Sequence, residues 1–313
     1  WLAIDSPGKL FIAVPVLVLW LIAPFITWFT SKPLEKQVTS LTDEQNIFLE
    51  KMARKTWSFF EKFVRSEDNW LPPDNFQEQP VEQIAHRTSP TNIGLSLLAG
   101  LSACDFGYIT TSQFIERTSK TIDTMTRMER YKGHFYNWYD TQSLNPLQPK
   151  YISTVDSGNL AGHLLVLRQG LLAIPHQKIP DVQLFEGLLD TLRVLTETVN
   201  ENETELLKNF IVELEGACNE NLITVYEIKK QSESLLKNFN LITQKLNCDP
   251  KRETYRWIQI IMEQLEEINK HVEIFSPWFL LPTAPSKFTD IISLNENFTL
   301  IELLKTAQEL QSE

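Results

Sequence analysis

The chain has 313 residues, 42% of them hydrophobic, and a formal net charge of −11. This length is enough for one large hydrophobic core or for two domains. Residues 181–313 contain 12 Lys and Arg against 23 Asp and Glu, whereas residues 1–180 contain 17 of each kind. An acidic half and a neutral half offer no surface that neutralises phosphates, so the composition disfavours nucleic-acid binding.

The first element in chain order is an apolar run without charged residues at positions 10–29. Twenty residues in a helix span about 30 Å, which is the thickness of a bilayer core. The run is too long for a signal peptide, and no small-residue cleavage site follows it. We therefore predict a membrane helix within residues 1–36, and we expect membrane lipid to be a partner. Lys9 and Lys32 flank the run on both sides, so the sequence leaves its orientation open.

The neutral region, residues 37–180, shows helical rather than strand patterns. A helix is predicted to begin after Thr42, because Gln45 lies at the spacing of a capping box. Two prolines at 72 and 73 exclude a helix there, and the segment TSPTN at 88–92 resembles a helix cap. Further helices are predicted at about 112–130 and 157–171. No strand-like alternation of useful length appears, so we predict an all-α fold.

The acidic region, residues 181–313, contains apolar stripes with helical spacing. One of these stripes, Ile258 to Phe275, steps by three and four residues. We predict a helical bundle or arm there and assign it no chemical role. Its charges are expected to form solvated faces, with docking to the rest of the protein as the functional alternative.

The cysteines and the chain ends bear on the setting of the protein. Cys104, Cys218 and Cys248 are odd in number and form no CxxC motif, which predicts reduced thiols and a body on the cytoplasmic side. The chain begins at Trp1 rather than Met, and it ends at Glu313 inside a helical pattern without a stop signal. We therefore expect it to be a piece of a longer polypeptide.

Three segments of the neutral region combine aromatic, amide and carboxylate side chains between apolar runs: NWLPPDNF at 69–76, HFYNWYDT at 134–141 and STVDSGNLAGH at 153–163. Aromatic faces stack on sugar rings, and Asn and Asp side chains bind hydroxyl groups. This combination predicts a carbohydrate site. Its candidate residues are Trp70, Asp74, Asn75, Asn137, Trp138, Tyr139, Asp140, Asp156, Ser157 and Asn159.

Structural interpretations of these residues stay open at this point. The aromatic residues of 134–141 are equally consistent with a core cluster. Asp156 or Ser157 is equally suited to capping a helix. A cap and an ion pair are the favoured interpretation of the segment from Arg87 to Asn92. The histidines lack the paired spacing of a metal site, so no metal is expected in this segment.

Several long strings in one order make the chain resemble cyclic β-1,2-glucan synthases across residues 44–180. They are RKTWSFFE at 54–61, DNWLPPDNFQE at 68–78, HRTSPTNIG at 86–94, and the two segments at 134–141 and 153–163. The apolar run followed by SKPL at 31–34 is also similar to the last membrane helix before that region of the family.

The resemblance implies a fold and a set of functions. The family consists of large proteins of the bacterial inner membrane. They combine a glucosyltransferase that uses UDP-glucose and a divalent metal, a glucoamylase-like toroid of six α/α hairpins, and a phosphorylase-like domain. The toroid is thought to close the glucan ring by transglycosylation. The implied partners of this chain are therefore β-1,2-glucan and the remaining domains of the same polypeptide.

The chain departs from the family where the chemistry would lie. Anomer-retaining transfer needs two carboxyl groups about 5–5.5 Å apart. The family's catalytic glutamates lie in later motifs, rich in Tyr-Tyr-Asp and around Met-Phe-Glu-Tyr, and neither string occurs here. The transferase motifs are also missing, so no catalytic residue and no cofactor is expected in this segment. We predict that the chain contains the first part of the toroid and is inactive alone.

Two alternatives remain at the level of sequence. The chain can be a membrane-anchored, noncatalytic glycan-binding or scaffold protein whose acidic helices dock a partner. It can also be a self-contained hydrolase that uses Asp140 or Asp156 as its carboxylates. The family places the catalytic pair elsewhere, so the resemblance disfavours the hydrolase.

Overall fold

The computed structural model describes residues 7–32, 40–179, 182–219, 225–246, 249, 252–275 and 298–312. They divide into two compact units, Trp1–Asp43 and Glu44–Glu313. The predicted boundary at residue 36 lies outside the described residues, as does Cys248.

The apolar run of the first unit is helical, in helix α1 (Pro7–Thr30), with Pro15 and Pro24 inside it. The window Ala13–Thr30 has a mean hydropathy of 2.0, and none of it is buried inside the structure. Trp20 is 74% exposed and Leu21 is 82% exposed. Exposing so much apolar surface to water is unfavourable. By length and composition, α1 can cross a membrane.

The second unit is built from helices and short antiparallel strand pairs. In the neutral region the helices are α2 (Asp43–Phe63), α3 (Pro90–Asp105), α4 (Thr111–Arg127) and α5 (Thr154–Ala173). Each described strand has two residues: β1 (Phe76–Gln77), β2 (Gln83–Ile84), β3 (Arg87–Thr88), β4 (Arg130–Tyr131), β5 (His134–Phe135), β6 (Tyr139–Asp140), β7 (Lys178–Ile179) and β8 (Phe298–Thr299). The pairs are β1–β2, β3–β6, β4–β5 and β7–β8. The predicted all-α class is confirmed.

Side-chain caps set the beginnings of three of these helices. Ser89 caps α3 by accepting from the Asn92 main-chain N–H, and Pro90 occupies the first turn. Thr110 and Gln113 form a reciprocal capping box at α4. Helix α5 begins earlier than predicted, because Ser153 caps it. The interpretation of Asp156 or Ser157 as the cap is therefore wrong, and the Asp156 side chain is available for other contacts.

The acidic region forms a bundle rather than an extended arm. Its helices are α6 (Gln183–Thr196), α7 (Glu201–Asn219), α8 (Val225–Leu246) and α9 (Glu253–Phe275), and α10 (Leu300–Ser312) follows β8. Helix α7 packs between α6 and α8, and α9 packs on both α6 and α8. The apolar stripes face one core, in which Leu192, Phe239 and Ile261 are fully buried. Burying these stripes together removes apolar surface from water and holds the bundle closed.

The neutral region has a separate core, which includes Trp57, Leu71, Ile93 and Phe114. The two cores correspond to the regions predicted on either side of residue 180, but both belong to one compact unit. Polar contacts join them: Arg54 Nε donates to Thr191 Oγ1 at 2.7 Å, and Gln264 Nε2 donates to the Tyr108 carbonyl at 3.1 Å. The bundle is thus attached to α2 and to the turn after α3.

Asp190 lies buried at this junction and is expected to make stability depend on pH. Burial raises its pKa from 3.8 to about 6, and the Glu50 carboxylate adds to the rise. Tyr108 Oη donates to Asp190 Oδ2 at 3.2 Å, and Arg193 Nη1 donates to Oδ1 at 3.0 Å. A folded-state pKa above the unfolded value favours the protonated form in the folded protein. This contribution to stability is present below about pH 4 and is lost as the pH rises through about 6.

The expected loss between pH 4 and pH 7 is about 1–2 kcal/mol, less than the full shift because the carboxyl group keeps some hydration. Asp190→Asn should remove this component of the pH dependence. Urea unfolding of the whole chain at a series of pH values measures it. Asp123→Asn, at an exposed position of α4, serves as the control and should retain the wild-type slope. Equal slopes in all three proteins would contradict the assignment.

Candidate functional site

The first ends of α3 and α5 come together and join two of the predicted segments. Thr91 Oγ1 donates to Asp156 Oδ1 at 2.6 Å, and Asn159 Nδ2 donates to Thr91 Oγ1 at 3.2 Å. Both helices begin beside this contact, so positive helix ends lie near the carboxylate. Asp156 is half-buried and Asn159 is exposed. The Asn159 amide therefore remains accessible to a ligand from solvent.

The loop after α2 joins the same place through Asp74. Arg87 donates to Asp74 Oδ2 from Nε at 3.1 Å and from Nη2 at 2.9 Å. Asn92 Nδ2 donates to Asp74 Oδ1 at 3.3 Å, and Asn75 Nδ2 donates to Oδ2 at 3.1 Å. The ion pair with Arg87 and the hydrogen bonds from the Asn75 and Asn92 amides thus fix the position of the Asp74 carboxylate. Asn75 itself is exposed.

The segment 134–141 reaches this cluster through Trp138. The Arg87 guanidinium lies 5.1 Å from the centre of the Trp138 ring, within the range of a cation–π contact. Strand β3 pairs with β6, placing Arg87 opposite Asp140 and Thr88 opposite Tyr139. These contacts form two groups of side chains, which meet at the neighbouring residues Thr91 and Asn92 of α3, and we name the whole set the Trp138 rim. It consists of Asp74, Arg87, Thr91, Asn92, Trp138, Asp156 and Asn159.

A cleft of about 530 Å³ adjoins the rim at Arg87. Amide, imidazole, carboxylate and guanidinium groups line it, and the β1–β2 hairpin supplies one wall. Its lining residues are Asn75, Gln77, Gln83, Ile84, Ala85, His86, Arg87 and Asp140. The volume lies within the range of about 300–1,000 Å³ of small-molecule sites.

Asp140 is held by a turn of its own segment. Its Oδ1 accepts from the Ser143 main-chain N–H at 2.7 Å, from Ser143 Oγ at 2.8 Å and from the Gln142 N–H at 3.2 Å. Burial works to raise the pKa of Asp140, but the hydrogen bonds from Ser143 and Gln142 outweigh it, and the pKa is lowered. A carboxylate held ionised in this way binds hydroxyl groups well and is a poor proton donor.

Tyr139 and Asn137 are both buried, although the sequence predicts them as sugar ligands. Tyr139 is fully buried; its hydroxyl donates to the Glu129 carbonyl at 2.7 Å and accepts from the Tyr136 N–H at 2.7 Å. Burial also raises the pKa of Tyr139 to about 12. Asn137 is 6% exposed, and its N–H donates to the Tyr151 carbonyl. Tyr139 thus belongs to the core, as the alternative interpretation held, and no ring face is open to a sugar.

Trp70 is separated from Asp74 and Asn75, although all three lie in one segment. It lines a different cleft, between α2, α4 and α9. Asn69 and Trp70 have φ values of 51° and 60°, and this left-handed backbone turns the chain between Trp70 and the prolines. Ser157 is a local contact as well, since its Oγ donates to the Ser153 carbonyl at 2.8 Å.

Arg87 and Thr91 were not among the predicted ligands, but they connect the predicted segments. The ion pair and the cap that the sequence favoured for 87–92 are both present, as Arg87–Asp74 and Ser89. The sequence signal near these residues is TSPTN at 88–92, in which hydroxyl and amide groups flank the helix cap. No group of three His, Cys, Asp or Glu suited to a metal ion occurs within the described ranges.

No family model matches the chain. The chain is 43% identical over 201 residues to the cyclic β-(1,2)-glucan synthase NdvB of Rhizobium meliloti. The resemblance to cyclic β-1,2-glucan synthases is confirmed. The matched region is 64% of this chain and 7% of the relative, so the chain spans a small part of that protein's length.

Among solved structures, the chain is similar to a glucoamylase-like protein from Bacteroides fragilis. The sequence identity is 17% and the TM-score is 0.31, with 60% of this chain and 37% of that chain covered.

Proposed function

We propose that this chain forms part of the glucan-binding cleft of a membrane-bound cyclic β-1,2-glucan synthase, in the domain that closes the ring by transglycosylation. The observation that carries the proposal is the Trp138 rim, which joins four of the strings on which the resemblance to the synthases rests. The rim combines an aromatic ring with fixed carboxylates and amides. The relative's name supplies the substrate class, a β-1,2-linked glucan.

The chemistry of the rim and of the adjoining cleft, which Asp140 lines, supports binding rather than bond cleavage. The carboxylates of Asp74, Asp140 and Asp156 all accept hydrogen bonds from neighbouring side chains. Asp140 also has a lowered pKa, whereas a general acid needs a raised one. We therefore assign the chain a role in holding glucan and expect no turnover by the chain alone. UDP-glucose and a divalent metal would be required by the transferase part of a synthase.

The same proposal places α1 in the bacterial inner membrane and the helical body on its cytoplasmic side. The support is the length and apolarity of Ala13–Thr30. The half-buried thiols of Cys104 and Cys218 add support, since both are free and suit a reducing compartment.

Trp138→Ala is expected to weaken binding of linear β-1,2-gluco-oligosaccharides by roughly tenfold, because the ring loses its contact with a glucosyl face. Asp156→Ala should weaken binding as well, since the Thr91 hydroxyl loses the acceptor that orients it, and Asn159 donates to that hydroxyl. Calorimetric titration of the whole chain in lipid nanodiscs measures the dissociation constants. Mass spectrometry of the same mixtures should show no cyclic product.

Controls match each change in the type of side chain removed. Tyr131→Ala removes an exposed aromatic ring outside the rim, and Asp123→Ala removes an exposed carboxylate of α4. Both should bind like the wild type. Absence of saturable binding by the wild type would overturn the proposal, as would equal binding of β-1,3- or β-1,4-linked oligosaccharides.

A further inference from the structure

A second cleft, apart from the Trp138 rim, lies between α2, α4 and α9. We name it the Trp70 cleft. Its volume is about 470 Å³, and its walls include Trp57, Glu61, Trp70, Arg117, Glu263 and Gln264. It shares no lining residue with the cleft beside the Trp138 rim. The acidic bundle supplies one wall through α9, so the cleft exists only because the bundle docks on the neutral region.

Two buried polar atoms of the lining residues lack a partner within the described part of the chain. They are the donor Trp57 Nε1 and the acceptor Gln264 Oε1. Trp57 is 4% exposed and Gln264 is 9% exposed. An unpaired buried group costs about 1–3 kcal/mol, so such groups call for an explanation. A hydroxyl group accepts and donates at once, so it can satisfy either kind of unpaired atom.

The charges of the walls restrict the ligand further. Four carboxylates line the cleft, from Glu61, Glu67, Glu116 and Glu263, against the guanidinium groups of Arg65 and Arg117. Glu61 also pairs with Arg54, and Glu116 pairs with Lys120, so the charges around the cleft balance and do not favour an anion such as phosphate. Partial burial raises the pKa of Glu263, and the nearby Glu61 adds to the shift. Carboxylates and guanidinium groups together suit a neutral ligand rich in hydroxyl groups.

The backbone holds Trp70 in the cleft at a conformational cost. A left-handed φ of 60° in a tryptophan costs about 1–3 kcal/mol, and such strain concentrates at functional sites. Hydrogen bonds enforce it: the Trp70 N–H donates to the Arg65 carbonyl at 2.8 Å, and Thr121 Oγ1 donates to the Trp70 carbonyl at 2.9 Å. Lys120 lies 4.2 Å from the centre of the Trp70 ring. We assign Trp70 the role of an apolar wall, and recognition falls to the polar groups of the cleft.

We propose that the Trp70 cleft is a second sugar-binding site, which takes one or two glucosyl units of a neutral glucan. That the sugar is β-1,2-linked glucose rests on the proposed function. The cleft's preference for a neutral polyhydroxyl ligand rests on its own residues. A chain held at both sites would be gripped at two separate points of the body.

The test uses the whole chain in lipid nanodiscs, labelled with 5-fluorotryptophan and followed by fluorine NMR. The Trp70 and Trp138 resonances are assigned with Trp70→Phe and Trp138→Phe. Linear β-1,2-gluco-oligosaccharides and the β-1,2-linked glucose disaccharide serve as probes. We expect both resonances to shift and to saturate, and the Trp70 shift should persist in Trp138→Phe.

The outcomes separate the two proposals. A Trp138 shift without a Trp70 shift would overturn the second site and leave the proposed function intact. A Trp70 shift without a Trp138 shift would support the second site and overturn the rim as the main glucan contact. If neither resonance moves, both proposals fail, and bound water explains the unpaired atoms.

A second pair of variants keeps the test independent of the tryptophans. Glu263→Gln, in the cleft wall, should weaken binding at the Trp70 cleft by roughly tenfold, because a hydrogen bond to a charged acceptor becomes a neutral one. Glu266→Gln changes an exposed carboxylate of the same helix outside the cleft and should have no effect. Equal affinities of these two variants in calorimetric titrations would overturn the second site.

Discussion

Gly187→Ala is expected to destabilise the second compact unit by about 3 kcal/mol or more. This is the upper end of the range for overpacking, because the contact is rigid. A Cβ atom at this position would lie 2.3 Å from the carbonyl carbon and oxygen of Gly107 and 2.6 Å from the carbonyl oxygen of Phe106. All three are main-chain atoms that no rotamer change can move. Gly107 has a φ of +69°, so the turn it forms cannot readily be rebuilt with another residue.

The consequence is a separation of α6 from the turn after α3. This is the place where the acidic bundle meets the neutral region. A shift there also disturbs the hydrogen bonds that Asp190 accepts from Tyr108 and Arg193. Thermal unfolding followed by circular dichroism measures the effect, and a decrease of roughly 10 °C in the midpoint corresponds to it.

Gly216→Ala provides the matched control. Gly216 also lies inside a helix, α7, but nothing lies within 4 Å of its hypothetical Cβ atom. Alanine there should stabilise the helix by about 0.5–1 kcal/mol, because it restricts the unfolded chain. If both variants shift the midpoint alike, the close contact at Gly187 is refuted.

Arg54→Ala is expected to cost about 3–5 kcal/mol, the range for removing one partner of a buried ion pair. The Arg54 side chain has no exposed surface. Its Nη2 donates to both Glu61 carboxylate oxygens at 3.1–3.2 Å, and its guanidinium lies 5.3 Å from the Tyr108 ring centre and 5.4 Å from that of Trp257. The truncation removes the pair and leaves a cavity between two aromatic rings.

Lys55→Ala tests the same helix at an exposed pair. Lys55 Nζ lies 2.6 Å from Glu197 Oε2, with the Lys55 side chain 45% exposed. Exposed pairs contribute about 0–1 kcal/mol, so this change should be small. Arg54→Met should cost less than Arg54→Ala, because a methionine fills most of the cavity. Urea unfolding of the three variants decides, and similar losses for Lys55→Ala and Arg54→Ala would contradict the buried role of Arg54.

The helical elements could be predicted because their signals are local. Helix α1, which is long and apolar enough to cross a membrane, follows from the uncharged apolar run. Helix α2 begins at Asp43, next to the predicted cap, and Ser89 with Pro90 begins α3. Apolar spacing and capping act within a few residues, so the sequence contains all of the information needed for them.

The composition of the candidate site was also available from the sequence, since the predicted segments at 69–76, 134–141 and 153–163 contain most of the rim. The sequence did not show how the predicted residues divide between the Trp138 rim, the Trp70 cleft and the core. Trp70 lines the Trp70 cleft, whereas Asp74, four positions later, belongs to the Trp138 rim. Tyr139 is buried next to the half-buried Trp138. Neighbours in sequence share composition, but their side chains point to different surroundings.

The sequence by itself therefore determined the class of fold, the apolar helix near the start of the chain, the helical nature of the acidic region and the types of side chain in the candidate site. Only the tertiary structure decided which of those side chains meet. The contact of Thr91 with Asp156 spans 65 positions, and the contact of Arg54 with Thr191 spans 137. Such contacts depend on how helices pack and on where an unpaired donor finds its acceptor, and no local pattern encodes either.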